Sequence, residues 1–164
     1  WLIDNFPNTF DSLWKDHLVV SRARLDYGLE KVRHLPQRQF ITGGTGSVRG
    51  YPESPAAGDN GFFLSSEYRI PLPKFETETE LGSVSSNFIP FVDWAETEVN
   101  QPMSYESDKS LLGAGVGLEM KFSNGLFSRL DLATPLREIK NSGSVLEGTR
   151  NEDHRIHALI RWDF

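Results

Sequence analysis

Two carboxylates, Glu67 and Asp93, stand inside apolar, strand-like runs, FFLSSEYRI and FIPFVDWAE. Paired carboxylates are the equipment of acid–base work on glycosidic bonds. Arg49 and Arg69 are the planar, permanently charged partners that could instead neutralise them. His154 and His157 form an H-x-x-H that would suit a metal on a helix. On a strand the same spacing sends the two rings to opposite faces, so no shared metal is predicted. The chain has no nucleophile elbow, no phosphate-cradling loop and no Ser/His/Asp ordering. The residues therefore predict no enzyme, no cofactor and no metal centre.

The elements that must position these groups alternate with period two. In HRIHALIRWDF, Ile156, Ala158, Ile160, Trp162 and Phe164 share one face, and Arg155, His157, Arg161 and Asp163 share the other. LLGAGVGLEMKF sets Leu112, Ala114, Val116, Leu118, Met120 and Phe122 against three glycines, Glu119 and Lys121. After the turn signal Ser123-Asn124-Gly125, LFSRLDLAT sets Leu126, Leu130 and Leu132 against Arg129 and Asp131. HLVVSRARLDYGLE, FFLSSEYRI and FIPFVDWAE alternate in the same way, and the shorter RQFIT at 38–42 completes a set of about seven strands.

Composition narrows the class. The chain of 164 residues has no Cys, a net charge of -6 and singly scattered basic residues, which argues against a nucleic-acid surface. It starts at Trp1 with no initiator Met, which predicts a processed or excised piece. No window approaches the about 20 apolar residues of a membrane helix. A soluble β-domain would alternate too, and that reading stays open on pattern alone. Strands of ten or more residues, however, match the roughly 9 to 11 that cross a bilayer obliquely. Short connections alternate with long ones at 43–61, 99–110 and 135–153, as in membrane barrels.

The stretch QFITGGTGSVRGYPESPAAGDNGFFLSSEYRIPLP, with FVDWA at 91–95 downstream, resembles the superfamily of outer-membrane transporters that join periplasmic POTRA domains to a barrel. The short loop before GDNGFFLSSEYRIPLP is most similar to the haemolysin-activator branch, the two-partner secretion transporters. The resemblance implies that residues 1–164 are the C-terminal part of an antiparallel transmembrane β-barrel of about sixteen strands. The motif Val48-Arg49-Gly50-Tyr51 would dip into the lumen, where Arg49 would meet Asp93 of the Phe91-x-Asp93-x-Ala95 strand, with Glu67 close by. Glu67 and Asp93 then read as a neutralised structural latch, not as an acid–base pair. Ala95 departs from the family's Gly. Trp162 and Phe164 correspond to the terminal aromatic signal for membrane insertion.

The expected function is an outer-membrane pore that secretes an unfolded exoprotein. Its other partners would be outer-membrane lipid and, during insertion, the barrel-assembly machinery. Two alternatives are a barrel-assembly factor and the membrane anchor of an upstream patatin-like hydrolase.

Overall fold

The computed structural model describes residues 16–73, 75–76, 82–141 and 144–163. Its strands are β1 (Leu18–Asp26), β2 (Phe40–Thr42), β3 (Ala56–Gly58), β4 (Asn60–Pro71), β5 (Phe75–Glu76), β6 (Ser83–Glu98), β7 (Lys109–Phe122), β8 (Leu126–Pro135), β9 (Lys140–Asn141), β10 (Ser144–Val145) and β11 (Arg155–Trp162). Among the described residues the only helical turn is the 3-10 turn Pro36–Arg38.

One antiparallel sheet forms the wall, in the order β1-β4-β6-β7-β8-β11, with the short β5 joined to β6 as its seventh strand. Each long strand therefore pairs with the next long strand along the chain. The fold is all-β, and the wall is part of a barrel. At one end the strands are joined by the tight turn after Phe122 and by the connection after Pro71; at the other end lie the long segments 27–59, 99–108 and 136–154.

The register carries the alternation across the whole wall. Leu118, Leu130 and Ala158 fall in one row, and Val116, Leu132 and Ile156 in the next. Leu130, Leu132, Val116, Val92, Ile156 and Ile160 are all exposed on this face. Such a broad bare apolar surface suits contact with lipid. The opposite face carries Glu67, Asp93, Glu119, Asp131 and Arg129, and the segment 27–59 folds onto it. Trp162 lies on the apolar face, opposite Leu126, and Phe164 lies outside the described residues.

RQFIT, expected to be a wall strand, is not one. Phe40–Thr42 pairs with Ala56–Gly58 in a separate two-stranded ribbon. Three residues are too few to cross a bilayer. The period-two pattern there serves instead to bury Phe40 and Thr42 while Ile41 stays exposed. The ring of Phe40 fills the space over Gly61, where no side chain would fit. The first strand is also shorter than its sequence pattern, ending at Asp26 where pairing with Gly61 stops.

The core lies between the ribbon and the wall. Phe40, Val48, Tyr51 and Ala56 from segment 27–59 pack with Phe63, Ala95, Leu111 and Ile139. Ala95 is completely buried there, so its methyl group fits beneath the loop.

Candidate functional site

The ribbon presents residues 43–55 to the polar face of the wall. Gly50, at φ 94°, makes the turn that seats Arg49. A Cβ on Gly50 would lie 2.7 Å from the Thr134 carbonyl carbon, so the loop backbone rests directly on the end of β8. Gly44 also has positive φ, whereas Gly46 does not.

Below the loop, β7 contributes a glycine floor. A Cβ at Gly113 would fall on the Arg49 carbonyl oxygen and would also press on Val48. Gly113→Val is therefore expected to lift residues 48–51 while leaving the wall's backbone pairing intact. Overpacking of this kind costs roughly 1 to 3 kcal/mol. Limited proteolysis should cut the loop of the variant faster than wild type while the barrel keeps its heat-modifiable mobility; an equally protected loop would refute the close seat.

Arg49 is 3% exposed, and its guanidinium meets three carboxylates from three strands. Nε donates to Asp93 Oδ2 at 2.7 Å and Nη2 to Asp93 Oδ1 at 2.8 Å. Nη1 donates to Glu67 Oε1 at 2.9 Å and to Asp131 Oδ2 at 3.2 Å. The Arg49 backbone N–H adds a further bond to Asp93 Oδ2 at 3.1 Å. The guanidinium carbon also stands 3.4 Å from the centre of the Phe91 ring, a cation–π stack. Phe91 and Asp93 share a face of β6, so one strand supplies both the platform and the anion.

Register explains the meeting. Asp93 is opposite Ser65 on β4, and Glu67, two residues further on, is opposite Phe91. The two carboxylates are thus diagonal neighbours on one face, within reach of a single guanidinium.

Arg129 of β8 completes the charge balance. Its Nη2 donates to Glu67 Oε1 at 2.7 Å and its Nε to Asp131 Oδ1 at 3.0 Å. Arg69 bonds the other Glu67 oxygen at 3.2 Å and lies 3.6 Å from Glu119, which Lys121 also approaches. Four carboxylates therefore meet four cations. Sequence reasoning placed Arg129 and Asp131 on the polar face but did not assign them to this cluster. The R-x-D spacing on one strand face is the feature that could have shown them as a pair.

Tyr51 closes the other side of the motif. Its hydroxyl lies 2.6 Å from the Arg137 carbonyl oxygen and accepts from the Leu112 N–H at 3.1 Å. It thereby bridges β7 and the segment just beyond β8, past Pro135, which has no N–H to give.

Each carboxylate of the cluster has a cation beside it. His154 lies in the connection before β11 and His157 on β11, and no group of three or more His, Cys, Asp or Glu among the described residues could hold a metal. Beside this cluster is a cavity of about 320 Å³, lined among others by Arg22, Thr45, Arg69, Arg129 and His157.

The Omp85 superfamily domain matches residues 8–157. No curated protein and no solved structure matches the chain. A family match over nearly the whole chain, on an antiparallel wall with one bare apolar face and one charged face, points to the bacterial outer membrane and to the handling of protein substrates there. The chain belongs to the Omp85 superfamily, whose members translocate or insert proteins at the outer membrane.

Proposed function

We propose that this chain is the C-terminal barrel portion of a two-partner secretion transporter, passing an unfolded exoprotein across the outer membrane, with the VRGY loop as the element that closes the lumen. The observation that carries the reading is the seat of Arg49, held by carboxylates of β4, β6 and β8 on the face that would line a pore. Ion pairs and hydrogen bonds of this kind can be replaced, group for group, by water or by the polar backbone of a chain in transit. The apolar base of the ribbon, built on Phe40 and Ala56, would stay in place while the tip yields. In this reading the protein is not an enzyme and takes no cofactor. Its cluster of carboxylates and arginines is structural.

The test removes the full-length protein from cells that also produce its candidate exoprotein, a large β-helical partner. Export is expected to stop while the amounts of other outer-membrane barrels remain normal. A general fall in those barrels would identify an assembly factor. Loss of a hydrolytic activity with unchanged export would identify a membrane anchor.

A further inference from the structure

The loop touches the wall at a second point, through Thr45, four residues before Arg49, and this contact is not used by the function proposed above. The Thr45 hydroxyl lies 2.9 Å from Glu53 Oε1 and 2.9 Å from His157 Nδ1. Glu53 also accepts from the Thr45 backbone N–H at 2.8 Å. Thr45 and Glu53 belong to the loop, and His157 belongs to β11.

The direction of each bond follows from counting protons. A threonine hydroxyl has one proton, and an ionised carboxylate can only accept. The Thr45 N–H, then its hydroxyl, and the nearby His157 and Arg155 hold the Glu53 carboxyl below the usual carboxylate range, in spite of partial burial. Glu53 is therefore an acceptor at neutral pH and takes the hydroxyl proton. The remaining contact then needs a proton from His157, so Nδ1 must carry it. In the neutral ring this leaves Nε2 without a proton, and that buried atom has no hydrogen-bond partner.

We propose that His157, Thr45 and Glu53 form a second fastening, in which a donor on the last strand holds the outer limb of the VRGY loop through a relay of fixed direction. Packing at the same corner supports it independently. Arg155, two residues before His157 on β11, and Pro52 of the loop both border Gly148 of the connection before β11. The two fastenings are also adjacent. His157 pairs in register with Asp131, which accepts from Arg49 Nη1. Displacement of the loop must then break contacts at β11 as well as at β4, β6 and β8, and β11 becomes the strand that registers whether the loop is seated. This consequence for export rests on the gating reading; the fastening itself does not.

The experiment places a nitroxide on Gly46→Cys in the full-length protein freed of any other cysteine. Position 46 is exposed, and a Cβ added there meets no atom within 4 Å. His157→Ala and Thr45→Val are each expected to increase label mobility severalfold. His157→Asn should keep the label restrained, because its amide N–H can still donate. His157→Asp, of the same size but able only to accept, should not. Nitrogen-15 spectra of labelled histidine should show the Nδ1–H tautomer for the neutral ring. Unchanged mobility in His157→Ala, restraint by Asp equal to that by Asn, or an Nε2–H tautomer would each overturn the fastening. A loosened label with undiminished export would uphold the fastening and count against the gate.

Discussion

Replacing Arg49 by Ala is expected to abolish most export while leaving a folded barrel in the membrane. The substitution leaves Asp93, completely buried, with no guanidinium, and removes one cation from Glu67 and Asp131. Removing one partner of a buried ion pair costs roughly 3 to 5 kcal/mol, and water admitted to the lumen will recover part of that. Arg129 still bonds both Glu67 and Asp131, so the wall keeps its neutralised pair and the loss falls on the loop. Arg49→Lys should rescue poorly. An ammonium is a point charge, whereas this site takes Nε and Nη2 on one carboxylate and Nη1 on two others. Asp93→Ala should resemble Arg49→Ala, and the double variant should be little worse than either, because the groups act as one unit. Export measured beside the quantity of heat-modifiable barrel checks all of these variants. Simple addition of the two single effects would show that the contact does not hold the loop.

The second large effect is expected on the bare face. Leu130 lies at the middle of the wall, between Leu118 and Ala158, and is 51% exposed. Leu130→Arg should cost about 2 to 4 kcal/mol of barrel stability, the range for a cation at mid-membrane. Ile160→Arg, two residues from the aromatic Trp162, should cost less, because the penalty declines toward the interface. Arg161→Ile, on the other face, should be mild, since Arg161 is well exposed and its ion pair with the exposed Asp163 and its stack over Phe127 both lie at the surface. Denaturant unfolding in detergent or bilayers gives the comparison. Equal tolerance of Leu130→Arg and Arg161→Ile would refute the assignment of the apolar face to lipid.

The cluster was only half legible in advance. Arg49 and Asp93 were named from the VRGY and FVDWA motifs and Glu67 from its place in the FFLSSEYRI strand, and the structure sets Arg49 against both carboxylates. Phe91 was named as part of the motif, but its place beneath the guanidinium follows from two residues sharing one strand face. Arg129 and Asp131 escaped because nothing local distinguishes them from other lumen-facing charges. Asp59 escaped for the same reason. It accepts from the backbone N–H groups of His34 and Asn100 and so ties two of the long connections together at the rim.

Period two is a local property. Successive residues of an extended chain point to opposite sides whatever the neighbouring strand may be, and the sequence alone therefore determined which side chains of β6, β7, β8 and β11 share the apolar face and which share the charged one. The tight turn at Ser123-Asn124-Gly125 was determined in the same local way, by residues that accept its backbone angles. Pairing across strands is not local. Whether RQFIT joined the wall or the inner ribbon depended on a partner strand at Ala56–Gly58. The contact of Thr45 with His157, across 112 positions of sequence, depended on how far the loop folded back and on the register of β11. Those outcomes belong to the tertiary structure, because the energy of a charge or a hydrogen bond in a closed interior is set by the groups that surround it, and only the assembled wall brings those groups together.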